Sequence, residues 1–129
     1  MYKKALVTGG ERLGGPIARY LALWGYDIAL ACEAEVPTAL VEEIEKAGVR
    51  CSVLMLDMAD YQAACDLPGR AAQALEGLSL CVNASAIPME GVLDERAYKI
   101  NLRSPYGITA YAAQVMANLD VQGDRKSVV

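Results

Sequence analysis

The sequence predicts an α/β fold: a doubly wound, three-layer αβα sandwich on a parallel sheet of about five strands, in the order 3-2-1-4-5. Three observations lead there. Short apolar runs recur at Lys3 to Val7, Asp27 to Ala31, Cys51 to Leu56 and Leu78 to Val82. Stretches of helical periodicity separate them, so successive strands are joined by crossovers and run parallel. The second run is apolar on both faces, as in a central strand covered by helices on either side. Right-handed crossovers then set the order.

Taken in order, Lys3 to Val7 is the first strand. Thr8 to Gly15 is a glycine-rich turn, and Pro16 suits the first turn of the helix that follows, where its missing N–H costs nothing. Ile17, Leu21 and Trp24 recur at helical spacing on the expected inner face, and Gly25 ends the helix. After the second strand, Pro37 to Ala47 is a helix with Leu40, Val41 and Ile44 inward, closed by Gly48. The third strand ends in Asp57. Pro68-Gly69 interrupts the segment Ala59 to Glu76, which predicts one short helical turn before the break and a helix from Pro68 to Leu75 after it. Gly77 stops it.

The fourth strand delivers Asn83-Ala84-Ser85 to its C-terminal end. Ile87 to Gly91 is loop, and Asp94 to Leu119 is mainly helical with a kink at Pro105. Its second half carries Ile108, Ala112, Val115, Met116 and Leu119 on one stripe and Ala110, Ala113 and Ala117 on another, narrow enough for a second helix to approach closely. Asp120 to Asp124 is a turn, and Lys126 to Val129 opens a fifth strand.

Composition excludes several classes of function. At 129 residues the chain is read as a single domain, residues 1–129, able to bury about two thirds of its unfolded surface. Twelve basic against sixteen acidic residues argue against a nucleic-acid or anionic-membrane surface. No run approaches the ~20 apolar residues of a membrane span, and Met1 to Lys4 shows no targeting signature, which predicts a cytoplasmic protein. The chain contains no histidine, so histidine catalysis and most zinc sites are excluded. Cys32, Cys51, Cys65 and Cys81 form no C-x-x-C pair and are read as buried free thiols.

In a sheet of this order, ligands bind outside the C-terminal strand ends where the order reverses, here between strands one and four. Four strand ends bring the Gly9 to Gly15 turn, Glu33, Asp57 and Asn83-Ala84-Ser85 to that crevice. Glycines there let the backbone turn sharply and bring N–H groups close to a phosphate, which the helix N-terminus also favours. The same glycines would equally serve to pack the helix closely on the sheet.

This set resembles the short-chain dehydrogenase/reductase family, whose Rossmann-like cofactor half carries T-G-x-x-x-G-x-G after strand one. It continues with an Asp after strand three, N-N-A-G or N-N-A-S after strand four, and an Asn in the long helix. Thr8, Gly9 and Gly14 or Gly15 match the first motif, followed by Asp57, Asn83-Ala84-Ser85 and Asn101. The Arg12-Leu13-Gly14 wording is closest to pteridine-reductase-like members. The resemblance implies a bound nicotinamide dinucleotide, with Thr8, Gly9, Gly10, Arg12, Leu13 and Gly14 forming the turn at its pyrophosphate. It puts Asp57, with Met58 beside it, at the adenine, Asn83 to Ser85 on the nicotinamide side, and Asn101 at the family's catalytic-helix position. An acid after strand two bonds a ribose 2′-hydroxyl and repels a 2′-phosphate, so Glu33 favours NAD over NADP, while Arg12 pulls the other way. Each residue also has a plain structural role open to it: Asp57 as a strand-end cap, Asn83 as a turn former, Asn101 as a partner for backbone freed at the kink, Glu33 as a solvated loop acid.

The departures from the pattern concern ligand-facing loops and chemistry. The glycine turn is one residue short, the doubled Asn is single, and the interval from Asn83 to Asn101 is shorter than usual. The family's catalytic pair is Tyr-x-x-x-Lys, in which the Lys lowers the Tyr pKa for acid–base work. None of the seven tyrosines is followed by Lys at that spacing. The expected function is therefore a dinucleotide-binding domain, the cofactor half without the catalytic half and without oxidoreductase activity of its own. Two alternatives are a structural module that keeps only the fold, and an oxidoreductase completed by a partner chain. A homodimer through the Pro105 to Asn118 helix or the Ser127 to Val129 edge is also expected.

Overall fold

The computed structural model of the chain describes residues 3–119 and 127–129. Five strands, β1 (Lys4–Val7), β2 (Asp27–Cys32), β3 (Cys51–Met55), β4 (Leu80–Val82) and β5 (Ser127–Val128), form one sheet in the order β3-β2-β1-β4-β5. Every neighbouring pair is parallel. Helices α1 (Gly14–Leu23) and α2 (Thr38–Lys46) cover one face, and α3 (Tyr61–Leu75) and α5 (Ser104–Asn118) cover the other. The short α4 (Glu95–Tyr98) runs through a π-helical turn, Lys99–Arg103, into α5. This is the predicted doubly wound α/β fold with the predicted strand order.

Alternation along the strands explains why both faces are apolar. Leu6, Ala29, Ala31, Leu54 and Cys81 point into the core beneath α3 and α5. Ala5, Val7, Ile28, Leu30 and Cys32 point into the one beneath α1 and α2. Adjacent residues on one strand thus feed different cores, which is what a run without polar alternation requires. Cys32, Cys65 and Cys81 are buried, Cys51 is half-buried, and all four are free thiols, as read from the sequence. Burial pushes the Cys81 thiol up to about 12 and those of Cys32 and Cys51 up to about 11.

The helices differ from expectation in three places. Trp24 is not an inner-face residue: it caps α1 and is 59% exposed, its ring tilted against Tyr20. The buried stripe of α1 is instead the small-residue series Gly14, Gly15, Ala18 and Ala22, with Ile17 and Leu21 at its margin. Small residues let this helix lie close to the sheet.

Pro68-Gly69 does not break the third helical segment, because α3 is continuous from Tyr61 to Leu75 with Pro68 inside it. Proline in a helix interior costs about 3 kcal/mol. Leu67, Ala71 and Leu75 are fully buried on the face Pro68 helps to cover, and burial of each large side chain returns ~1.5–3 kcal/mol. Packing therefore outweighs local propensity. Asp60 caps the N-terminus by accepting from the Ala63 N–H, and Glu76 ends the helix in a left-handed conformation at φ 58°.

The distortion expected at Pro105 is spread over the preceding turn. Proline cannot donate to the carbonyl four residues back and crowds it, and the chain widens to i→i+5 bonding, with the Ser104 N–H on the Lys99 carbonyl. Along α5, Ile108, Ala112 and Met116 are buried against the core shared with α3, as the first stripe predicted, while Ala110, Ala113 and Ala117 are exposed. The turn expected at Asp120 to Asp124 lies outside the described residues.

At the N-terminal edge of the sheet, Asp27 accepts from Lys4 Nζ at 2.5 Å and from the Arg50 N–H at 2.9 Å. Burial by itself raises the Asp27 carboxyl, but the bonds from Lys4 and the Arg50 backbone, with both cationic charges, outweigh it and hold it below its ordinary 3.8. A carboxylate depressed in the fold contributes stability above its unfolded pKa, and that contribution disappears as pH falls through the folded value. Asp27→Asn keeps an acceptor for Arg50 and loses the charge. It should lower the unfolding free energy by about 1–2 kcal/mol at pH 7. In denaturant titrations from pH 7 down to pH 2.5, the gap to wild type should close below about pH 4; a gap independent of pH would remove the charge from the account.

Candidate functional site

The site begins where β1 ends. Thr8 is fully buried, and its N–H continues the ladder to the Val82 carbonyl at 3.0 Å. Its hydroxyl oxygen accepts from two successive backbone N–H groups beyond β4, Ala84 at 2.9 Å and Ser85 at 3.1 Å. One side chain thereby fixes the spacing between the turn after β1 and the segment after β4.

Gly9 follows at φ +71°, and a Cβ there would lie 2.6 Å from the Ala84 carbonyl oxygen. A Cβ on Gly14 would lie 2.0 Å from the Thr8 carbonyl oxygen. No other residue fits either position. The Gly9 carbonyl accepts from the Arg12 N–H at 2.9 Å and the Gly14 N–H at 3.0 Å, which curls the turn onto the start of α1. α1 has no side-chain cap and no acid in its first turn; its first N–H groups turn back onto backbone, Gly14 to the Gly9 carbonyl and Gly15 to the Arg12 carbonyl at 3.1 Å, and Pro16 has none to offer.

Between this turn and the ends of β2 and β4 lies a cleft of about 180 Å³, lined by Gly9, Glu11, Arg12, Glu33, Ala34, Ser85, Ala86, Ile87 and Ile100. A wider groove of about 390 Å³ runs between α1 and α2 past Gly10, Gly15, Leu40 and Glu43. It lies to one side of the strand ends. The smaller cleft occupies the reversal of strand order, where sheets of this kind bind ligands.

Four residues singled out from the sequence therefore wall the cleft: Gly9, Arg12, Glu33 and Ser85. Others stand behind it. Thr8 and Gly14 shape the turn, and Gly10 donates to the Ala31 carbonyl and sits over Leu30 and Cys32. Leu13 is 64% exposed at the head of α1. The Met58 side chain is buried in the core, and its backbone faces two ways: the N–H donates to Glu33 Oε1 at 3.1 Å and the carbonyl accepts from Ser104 Oγ at 2.6 Å. Asp57 accepts from the Ala59 N–H at 2.9 Å, a strand-end cap.

The two asparagines do different work. Asn83 donates through Nδ2 to Thr109 Oγ1 at 3.1 Å and by its backbone N–H to the Val129 carbonyl at 2.7 Å, tying β4 to α5 and β5. Its Oδ1 is buried without a hydrogen-bond partner. Asn101 lies in the π-helical turn and grips a single residue, donating to the Ile87 carbonyl and accepting from the Ile87 N–H, each at 2.8 Å. It holds the loop that forms one wall of the cleft, rather than backbone freed at the kink.

The sequence did not point to Glu11, Ala34, Ile87, Ile100 or Arg96. Arg96, on α4, spans the two acids at the strand ends, 3.6 Å from Glu33 Oε2 and 3.6 Å from Asp57 Oδ1. The Glu11 carboxylate accepts from the Glu33 N–H at 2.5 Å and the Ala34 N–H at 2.9 Å, bridging the first turn to the end of β2. Among the described residues no group of His, Cys, Asp and Glu side chains could hold a metal ion, and no helix is long and apolar enough to cross a membrane.

A parallel sheet of order 3-2-1-4-5 with a glycine turn after β1 and a cleft at its reversal point defines a doubly wound ligand-binding domain. The comparisons with known proteins make the class specific: residues 3–126 match the short chain dehydrogenase family model, and the chain belongs to that family. An L-rhamnose 1-dehydrogenase (NAD(P)(+)) of Sphingomonas sp. (strain SKA58) is 33% identical over 98% of this chain and 53% of its own length. Among solved structures, a short chain dehydrogenase from Burkholderia cenocepacia J2315 in complex with NADP superposes with a TM-score of 0.82 at 34% identity, covering 88% of this chain and 51% of that one. A blue fluorescent protein from a metagenomic library, in complex with NADPH, gives a TM-score of 0.80 at 35% identity over 88% and 51% of the two chains. The chain thus spans about half the length of the relatives it matches.

Thr8→Val, nearly equal in volume, leaves the Ala84 and Ser85 N–H groups without their acceptor and should cost about 2 kcal/mol of stability, whereas Thr8→Ser should retain most of it. Urea denaturation of the three proteins decides this; a valine variant as stable as wild type would show that the hydroxyl contributes nothing.

Proposed function

We propose that this chain is the nicotinamide-dinucleotide-binding domain, residues 1–129, of a short-chain dehydrogenase, without oxidoreductase chemistry of its own. The observation that carries the reading is the clamp from the Thr8 hydroxyl to Ala84 and Ser85, with Gly9 pressed against Ala84. It sets one side of a cleft at the point where strand order reverses. The residues present fit a dinucleotide: the side-chain-free Gly9 lets a pyrophosphate approach the backbone of the turn at the head of α1, and Arg12 in the same cleft adds charge. Glu33 and Asp57, at the ends of β2 and β3, offer carboxylates to the adenosine end. Ser85 and the Ile87 loop held by Asn101 form the wall on the nicotinamide side. When bound, the nicotinamide supplies hydride chemistry; this chain's residues bind and orient it.

The names of the relatives support the cofactor class, since NADP and NADPH accompany the two solved structures. We place NAD ahead of NADP because carboxylates gather at the end of β2, where they repel a 2′-phosphate: Glu33, whose charge Arg96 partly offsets, and Glu11, seated on the Glu33 and Ala34 N–H groups. The Arg12-Leu13-Gly14 wording is the sole support for a pteridine-reductase-like branch. No Tyr in the chain has a Lys four residues on, which supports a domain that binds without turning over.

Titration with NAD and NADP, followed by thermal unfolding, should show saturable stabilisation of about 2.7 kcal/mol at a hundredfold excess over Kd. A flat response to both nucleotides would leave only a structural module. With either reduced nucleotide, a panel of aldehydes and ketones should show no turnover by this chain; measurable turnover overturns the inactive reading. We also propose that a second copy covers α5, where Ala113, Met116 and Ala117 border an apolar groove beside Ser127 and Val128. Sedimentation at high micromolar concentration should give twice the 13.8 kDa chain mass, and a monomer would refute it.

A further inference from the structure

We propose that Glu11, more than Glu33, selects between the two nucleotides, its carboxylate acting as an internal anion seated on the Glu33 and Ala34 N–H groups. The inference rests on the dinucleotide reading of the cleft. Two adjacent backbone N–H groups at the end of β2, aimed at one carboxylate at 2.5 and 2.9 Å, form a ready-made seat for a phosphate-like group. In this chain the seat is filled from within by a residue of the first turn, and that residue lines the cleft.

Glu33 is poorly placed to discriminate by itself. Its Oε1 accepts from the Met58 N–H and its Oε2 faces Arg96, which offsets its charge. Among the described residues, no Lys or Arg lies within ion-pair distance of Glu11. Its negative charge is thus met by the two N–H groups of the seat and by no ion pair, and Arg12, elsewhere in the cleft lining, is not bonded to it. A 2′-phosphate arriving there would meet a like charge and find both N–H donors taken. A ribose 2′-hydroxyl would instead find an acceptor, because each carboxylate oxygen has a second lone pair left after accepting one N–H. Glu11 thus favours NAD by two effects, repulsion and prior occupancy.

The test compares wild type, Glu11→Gln, Glu11→Ala and Glu33→Gln by isothermal calorimetry with NAD and with NADP, each first confirmed as folded by circular dichroism. Glu11→Gln removes the charge and keeps an acceptor; Glu11→Ala also empties the seat. The ratio of NADP to NAD affinity should rise about tenfold in Glu11→Gln and further in Glu11→Ala, and by less than about threefold in Glu33→Gln. A ratio unchanged within about twofold in both Glu11 variants, or moved more by Glu33→Gln than by Glu11→Gln, overturns the assignment while leaving the dinucleotide reading intact. Failure of all four proteins to bind either nucleotide overturns that reading, and this assignment with it.

Discussion

The site depends on one hydroxyl. β1 and β4 are neighbours in the sheet but belong to different halves of a doubly wound fold, and beyond their last ladder bond nothing in the sheet dictates how far their loops diverge. Thr8 sets that distance, because its buried oxygen accepts from two consecutive N–H groups and so fixes both position and direction of the segment after β4. The glycines follow from this constraint. With Ala84 held that close, position 9 has no room for a side chain, and with the turn curled back so tightly, neither has position 14. The glycine pattern records the clamp as much as any ligand.

Charge at the far end of the cleft is arranged as a chain of contacts. Glu11 reaches the end of β2, Glu33 reaches the start of the loop after β3, and Arg96 joins Glu33 to Asp57. Three carboxylates and one guanidinium thus hold together the loops after β1, β2 and β3 and helix α4. The arrangement serves two ends: it ties the strand ends together, and it leaves the rim of the cleft acidic. α4 thereby sets Arg96 against the residues that follow β2 and β3.

The strands were legible because each is a short run in which successive residues enter opposite cores, and the alternation of strand and helix leaves few ways to order them. Gly9 and Ser85, which wall the cleft, were legible for the same reason: they follow the ends of β1 and β4, where local chemistry and position coincide. Trp24 and Pro68 were misread because local rules were applied where packing decides. Apolar spacing assigned Trp24 inward although α1 packs through its small residues, and Pro68 signals a break in any window that omits the core beneath it. Glu11 and Arg96 were illegible, since their partners lie 22 and 39 or more residues away and no spacing rule connects them. Asn101 lay between these cases: its position was found, but its partner, the backbone of Ile87, was not.

The cysteines bear on how such a domain can be handled and watched. Burial holds the Cys81 thiol protonated at neutral pH, and the thiolate is the form that oxidises or alkylates. Cys81 lies in the middle of β4 with its side chain in the core beneath α3 and α5, so a reagent reaches it only when that helix layer lifts from the sheet. Cys51, at the first residue of β3 and half-buried, stands nearer to solvent. The two sulfurs are native clocks set at different depths: the ratio of their labelling rates with a neutral alkylating agent reports whether the fold opens at its β3 edge or loses the helix layer over its centre.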